Sequence, residues 1–429
     1  HIYEDIVMNS KIILNYLDRN ILKNSVYLFF GVVLSHLITL GILPILTRLF
    51  NQEQFGFFAI YISVFSVYTT IISARYEYGI VSTKIAKHAK GLVSICILIA
   101  LIMSLVFYVI YLATPLNKYF SLQDHTYLLY VLLIVFFAQA VYQASDFWLN
   151  RNKRYIIMSI NRVQMAFFIG LFQIIFSYFS LIGLVIGDIV GRVVTAISVF
   201  LNSKIRPPKL NKIKSIALLR RYREFPLFQA PTALLNAISS NSPIFFIGFF
   251  YGVEFAGAYI LVVRVLGAPV ALLSQSIGKV LFQKISDSYR NSSETIFRDF
   301  VVFSIILAII SFFFCMPIFL YGDIIFGYIF GSEWFVAGEY AKILSIAFFA
   351  TICVSPLTLI LIAIDKIKVL SIWQIFHFFL TIIILFIGSH FNFKIFLYLY
   401  SINQVFIYLL CIILIGYQIR KISKDELSN

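Results

Sequence analysis

Apolar stretches about 19 residues long recur along most of the chain. Six lie near 25 to 46, 55 to 74, 91 to 113, 126 to 149, 156 to 178 and 180 to 201. After a polar basic segment, six more lie near 226 to 249, 255 to 280, 300 to 320, 337 to 364, 369 to 388 and 393 to 416. A helix needs roughly 20 residues to cross the hydrocarbon core of a bilayer. The pattern therefore predicts an all-α, polytopic membrane protein with about twelve transmembrane helices.

The break between the two sets is a basic segment from Lys204 to Arg223 that carries Pro207 and Pro208. It divides the chain into a cytoplasmic N-terminal segment over 1–24, an N-lobe of six helices over 25–201, a basic cytoplasmic linker over 202–225, a C-lobe of six helices over 226–416 and a cytoplasmic tail over 417–429. A faint repeat supports two lobes: Phe50-Asn51-Gln52-Glu53-Gln54-Phe55-Gly56 recurs as Phe250-Tyr251-Gly252-Val253-Glu254-Phe255-Ala256. Parallel halves related by an axis along the membrane normal would leave such a trace.

Composition agrees, with 61% hydrophobic and 12% charged residues, against about 25% charged in soluble domains. The net charge of +15 raises the question of nucleic acid, but its distribution answers it. With the N-terminus in the cytoplasm, 27 of the 34 lysines and arginines fall in inner segments. Only Arg48, Lys118 and Lys394 fall in outer connections, and Arg162, Arg192, Arg264 and Lys342 lie within spans. Such a bias is the positive-inside signature, so both termini are expected in the cytoplasm. No stretch resembles a cleavable signal peptide. The first methionine is Met8, and the residues before it are given no role. Cys96, Cys315, Cys353 and Cys411 fall in apolar runs without metal-ligand spacing, which reads as inert packing.

The stretch from Phe255 to Val280 holds the residue most in need of explanation. Arg264 lies roughly 14 Å along a helix from Phe255, near the middle of a core about 30 Å thick. A guanidinium there costs at least about 2.5 kcal/mol unless it faces a partner, a bundle interior or water. It is either paired with an acid on another helix or part of the cationic wall of a transport cavity. Arg162, with Asn161 and Gln164 beside it, points to a polar inward surface. Asp188 and Arg192 stand four apart and can pair on one helix face, a pair that either fixes packing or lines the lumen. Asp146 is expected to pair with Arg151 or to serve a coupling cation, and Glu339 with Lys342. Arg75 and Glu77 sit at the inner end of the second helix as an interfacial ion pair or a gate. Arg48 reads as an outer-interface anchor or an outer cavity cation. His36 and His377 are titratable, with hydrogen-bonded core histidines as the alternative. Pro226, Pro231 and Pro243 interrupt the seventh span and Pro269 follows Arg264, each removing a backbone hydrogen bond.

Several segments also resemble a known family. Leu43-Pro44-Ile45-Leu46-Thr47-Arg48-Leu49-Phe50 with Phe55-Gly56-Phe57-Phe58-Ala59, Ala74-Arg75-Tyr76-Glu77, Tyr222-Arg223-Glu224-Phe225-Pro226, Ala256-Gly257-Ala258-Tyr259 through Arg264, and Gly338-Glu339-Tyr340-Ala341-Lys342 with Ser355-Pro356-Leu357 are similar in order and spacing to polysaccharide-transporter flippases of the Wzx type. These belong to the multidrug/oligosaccharidyl-lipid/polysaccharide (MOP) exporter superfamily. Ser82-Thr83 departs from the Leu-Pro expected after the Arg-Tyr-Glu stretch.

The resemblance implies two six-helix lobes around a central cavity and a flippase, not an enzyme. Its substrate would be a polyprenyl-pyrophosphate-linked oligosaccharide, moved to the outer leaflet of the bacterial inner membrane for O-antigen or related lipopolysaccharide synthesis. Partners would be membrane lipids, a polysaccharide polymerase and a chain-length regulator, with no nucleic acid. No cofactor is implied, and a coupling cation, H+ or Na+, is left open. Arg264, Arg162, Arg192 and Arg48 would be the cavity cations, and Arg75, Glu77, Asp188 and Asp146 the gate or coupling groups. Three alternatives would look different. A peptidoglycan-precursor flippase, which the resemblance also touches, is usually built with two more helices. A drug exporter of the same superfamily should have a cavity dominated by acids, and a membrane polymerase a long outer loop with catalytic residues.

Overall fold

The computed structural model describes residues 2–113, 127–179, 182–205, 212–291 and 294–427. Arg206, Pro207, Pro208, Lys209 and Lys118 lie outside them. The described chain is helical: α1 (Ile2–Leu49), α2 (Gln52–Thr69), α3 (Glu77–Ser82), α4 (Ala86–Ala113), α5 (Tyr127–Arg151), α6 (Tyr155–Ile175), α7 (Gly183–Ser203) and α8 (Lys212–Arg221). A π-helical turn over Phe225–Gln229 leads into α9 (Ala230–Phe250). Then follow α10 (Val253–Asn291), α11 (Glu294–Phe330), α12 (Phe335–Val354), α13 (Leu359–Ala363), α14 (Ile367–Gly388) and α15 (Phe393–Leu427).

Among the described residues, eleven stretches are long and apolar enough to cross a membrane. They match eleven of the twelve expected spans to within a few residues at most ends. The expected span over 55–74 is the exception. Its helix, α2, starts with Gln52, Glu53 and Gln54 and ends at Thr69, because the chain turns at 70–76. Polar residues thus occupy a full turn of an 18-residue helix. Gln54 is there for capping: the Asn51 side chain accepts from the Gln54 backbone N–H while the Gln54 side chain accepts from that of Asn51.

The prolines act unequally. Pro226 lies in the π turn and Pro231 in the first turn of α9, whereas Pro243 and Pro269 sit inside α9 and α10, which continue through them. The stretch between the expected spans over 300–320 and 337–364, Tyr321 to Val336, is largely helical. Tyr321 leaves helical geometry (φ −124°, ψ 21°), the helix resumes to Phe330, and Gly331 turns the chain at φ 108°. The span over 337–364 is broken at Ser355-Pro356.

By contacts the chain forms two compact units, each made of discontinuous segments: 1–39, 72–172 and 188–229 in the first, 40–71, 173–187 and 230–429 in the second. In the first, α3, α4 and α5 enclose a core of Tyr76, Ile80, Leu92, Val93, Cys96 and Ala144. Gly31 of α1 lies against Ser159 of α6, whose hydroxyl donates to the Tyr27 carbonyl at 2.7 Å. In the second, α11, α12, α14 and α15 pack around Leu307, Leu357, Trp373, Ile407 and Cys411.

The second unit also contains the crossing of α2 and α10, where the internal repeat becomes visible. A Cβ on Gly56 would overlap the Val253 carbonyl, and one on Gly257 would overlap that of Gln52. Each helix thus presents a glycine to the first turn of the other, the reciprocal pattern of a two-fold contact. The structural partners, Gly56 and Gly257, differ by one position from the sequence match of Gly56 with Ala256.

Candidate functional site: charged groups at membrane depth

Two groups of charges are held within the membrane-crossing helices, one in each unit. In the first unit the polar stripe begins on α5. Gln139, Tyr142, Gln143 and Asp146 recur every three or four residues and so share a helix face. On α7, Arg192 Nε donates to Asp188 Oδ2 at 2.7 Å, and the two side chains are 14% and 2% exposed. The i,i+4 spacing, with the acid toward the N-terminus, is the favourable order. Arg192 Nη1 also reaches Gln139 Oε1 at 3.5 Å, joining α7 to α5. The close α6–α7 approach has a visible cause, since a Cβ on Gly191 would lie 2.6 Å from the Ile169 Cα.

Arg162, half-buried on α6, completes the group. Its charge bears on Asp146 of α5 and His36 of α1, and together with Arg192 on Tyr142. Asp146 Oδ1 is buried without a hydrogen-bond partner, as are both amide atoms of the fully buried Asn161. Such atoms are costly unless water or a ligand meets them. The expected Asp146–Arg151 pair does not form. Arg151 instead donates to the carbonyls of Ile80 (3.0 Å) and Thr83, capping the C-terminal end of α3. That use of Arg151 was not anticipated, and Ser82-Thr83, the departure from the family pattern, is where α3 ends.

Just before α3, Ala74 and Arg75 both adopt left-handed φ, 50° and 63°. For residues with a Cβ this costs about 1–2 kcal/mol each, and local bonds offset it. The Ser73 hydroxyl donates to Glu77 Oε2, Arg75 Nη1 lies 3.8 Å from Glu77 Oε1, and the Arg75 guanidinium packs 5.5 Å from the Tyr78 ring centre. Glu77 is 3% exposed. Burial pushes its carboxyl above the ordinary value, with Ser73 and Arg75 acting against that rise. Arg75 and Glu77 are therefore brought together as expected, within a strained turn that sequence spacing did not reveal.

In the second unit, Gly257 and Arg264 are seven residues apart and share the face of α10 turned to α2. The glycine crossing lets α2 approach closely enough to place Phe58 beneath Arg264, whose guanidinium carbon lies 4.5 Å from the ring centre. Arg264 is half-buried. A planar guanidinium carries a fixed charge and a donor fork that matches phosphate or carboxylate oxygens. Phe58 was not singled out from sequence, where it is one of many phenylalanines. Arg48, exposed, donates to the Pro44 carbonyl at 2.7 Å, closing the last turn of α1.

The expected Glu339–Lys342 pair is replaced by two others, Lys342 with Asp323 at 2.6 Å and Lys394 with Glu339 at 2.8 Å. The backbones of α11 and α12 touch at Gly322 and Gly338, where a Cβ on Gly338 would overlap the Gly322 carbonyl. That contact brings Asp323 to Lys342. Among the described residues no cluster of His, Cys, Asp and Glu could hold a metal ion.

Comparison with known proteins gives the family and the fold. Residues 45–339 match the family described as polysaccharide biosynthesis protein. The teichuronic acid biosynthesis protein TuaB of Bacillus subtilis is 24% identical over 157 residues, 36% of this chain; the match spans about a third of that relative (32%). Among solved structures, an inward-facing multidrug resistance MATE family transporter of the MOP superfamily superposes with a TM-score of 0.71 at 13% identity, over 92% of this chain and 95% of that one. The lipid II flippase MurJ, in an inward closed conformation, gives 0.69 at 15% identity over 95% and 91%. A MOP superfamily transporter from Pyrococcus furiosus, described as having a binding pocket of reverse polarity, gives 0.62 at 14% identity over 94% and 96%. The chain belongs to the polysaccharide biosynthesis protein family, and its fold is that of the transporters and flippases of the MOP superfamily.

Proposed function

We propose that this protein moves a polyprenyl-pyrophosphate-linked oligosaccharide from the inner to the outer leaflet of the bacterial inner membrane by alternating access. The observation that carries this reading is the buried polar group of the first unit, in which Arg162 and Arg192 stand at membrane depth among Gln139, Tyr142, Asn161 and Asp188. A pyrophosphate with attached sugars needs cations and hydrogen-bonding groups in place of water, whereas its polyprenyl tail can stay in lipid. Arg264 supplies a further cation in the second unit. The family match supports a role in polysaccharide synthesis, and O-antigen or a related lipopolysaccharide is the product class we favour.

In this reading the N-lobe comprises 25–201 and the C-lobe 226–416, and the inner-facing charge bias puts both termini in the cytoplasm. Asp146, with one carboxylate oxygen unpartnered beside Arg162, is the candidate seat for a coupling H+ or Na+. Arg75 and Glu77, paired in the left-handed turn before α3, are the candidate gate. A drug exporter is disfavoured because Asp188, the most buried of these acids, is already neutralised by Arg192.

The test is made in cells. Depleting the protein should leave carrier-linked oligosaccharide accumulated and shielded from an impermeant oxidant added outside the inner membrane. Oxidant-accessible oligosaccharide at normal levels after depletion would refute the proposal.

A further inference from the structure

A groove of about 430 Å³ opens on the second unit between α11, α12 and α15. Ser304, Cys315, Phe349, Cys353 and Tyr408 are among the residues that line it. Its size is that of a ligand site, which spans about 300–1,000 Å³, but its chemistry is unlike that of the charged groups above. Its two serines are satisfied within the protein, Ser304 Oγ donating to the Phe300 carbonyl at 2.7 Å and Ser345 Oγ to the Lys342 carbonyl at 2.6 Å, and the Tyr408 ring packs against Trp373 and His377. Among the described residues, no charged one lines it. The groove has nothing with which to recognise a head group or sugar.

Its surroundings identify what fills it. Phe312, Phe319 and Leu409 on its walls, and Ile305, Ile309 and Phe406 on neighbouring turns, are apolar and exposed although they belong to membrane-crossing helices. In that setting exposed apolar surface faces hydrocarbon. Water does not fill a void lined by apolar atoms, and leaving it empty forfeits the dispersion contacts of every lining group. The site is also elongated: Ser304 and Phe319, both on its wall, are about 22 Å apart along α11, most of the thickness of a core of about 30 Å. A long, dry slot along a transmembrane helix fits a chain better than a compact ligand.

We infer that this groove holds one acyl chain of a bilayer phospholipid as a bound structural lipid. The chain lies along α11 and fills the space between it, α12 and α15, while the head group stays at the membrane surface without contacts of its own in the groove.

The full-length protein in nanodiscs of phosphatidylethanolamine and phosphatidylglycerol, doped with phosphatidylethanolamine carrying a photoactivatable diazirine on its acyl chain, tests this. Mapping crosslinked peptides after irradiation should show at least fivefold enrichment at Phe312, Met316, Phe349 and Cys353 over Phe379 and Phe386, exposed apolar residues of α14. Ala308→Phe, placed to fill the groove, should remove that excess and leave α14 labelling unchanged. Ser304→Phe fills the other end and serves if Ala308→Phe does not insert. Moving the head group from phosphatidylethanolamine to phosphatidylglycerol should not alter the pattern. Labelling no greater than on α14, labelling that survives groove filling, or its displacement by an equimolar polyprenyl phosphate in preference to phospholipid would overturn the assignment.

Discussion

Arg264 offers the sharpest separation between structure and transport. Its guanidinium lies 4.5 Å from the centre of the Phe58 ring and is half-buried. A cation–π contact in such a setting contributes about 1 kcal/mol, within a range of roughly 0.5–2. If positioning over the ring is what matters, Phe58→Leu should weaken transport by only about fivefold, since 1.4 kcal/mol is a factor of ten. If Arg264 grips the pyrophosphate, removing it forfeits a charge-assisted hydrogen bond of about 1.5–3 kcal/mol. Arg264→Ala should then lower transport roughly ten- to a hundredfold. Arg264→Lys keeps the charge and loses the planar fork, so it should fall between wild type and Ala. Surface polysaccharide is to be measured alongside membrane-inserted protein for all three variants. Normal polysaccharide at normal protein level for Arg264→Ala would remove this residue from the mechanism. A fall in protein level that matches the fall in polysaccharide would make its role structural.

Three further outcomes are expected. Gly257→Ala places a methyl against the Gln52 carbonyl, so it should lower thermal stability by about 1–3 kcal/mol, and Gly56→Ala should do the same at the reciprocal contact; neutral melting of both would contradict the crossing. Arg192→Ala removes the ion-pair partner of the buried Asp188 carboxylate, costing about 3–5 kcal/mol, and adding Asp188→Asn should restore most of that in a detergent melt; no recovery would mean that Arg192 acts through other contacts. For Glu77, whose carboxyl is raised above its ordinary 4.5, the penalty for burying the charged form is absent below 4.5 and complete above the raised folded value. The folded state therefore loses relative stability as pH rises through that window; Glu77→Gln should flatten this part of the pH profile of melting, and an unchanged profile would exclude Glu77 as its source.

The helical spans were legible because a long apolar run has few alternatives, and eleven appear close to where the pattern put them. The second span was overestimated because Ile71, Ile72 and the small residues after them extend the apolar run beyond Thr69, while only the backbone shows the left-handed turn at Ala74–Arg75. The Asp188–Arg192 pair was legible because both ends lie on one helix. The pairings Asp146–Arg151 and Glu339–Lys342 do not form because the partners of Arg151, Glu339 and Lys342 come from other helices, brought close at contacts such as Gly322–Gly338. Local spacing favours a neighbour three to five residues away on the same helix and contains no information about the facing helix. The face Gln139–Tyr142–Gln143–Asp146 could have been read from its three-and-four spacing, whereas the meeting of Phe58 with Arg264 depends on two glycines about 200 positions apart.

The most direct measurement uses the purified protein in liposomes loaded with a fluorescent polyprenyl-pyrophosphate oligosaccharide. Access of the labelled head group to an impermeant quencher is followed with time, with and without H+ and Na+ gradients. The proposed function predicts rapid exchange between leaflets for wild type and at least tenfold slower exchange for the Arg192→Ala, Asp188→Asn and Arg264→Ala combination at equal reconstituted protein. Exchange no faster than in protein-free liposomes under every gradient, or equally fast in the charge-depleted variant, would contradict it.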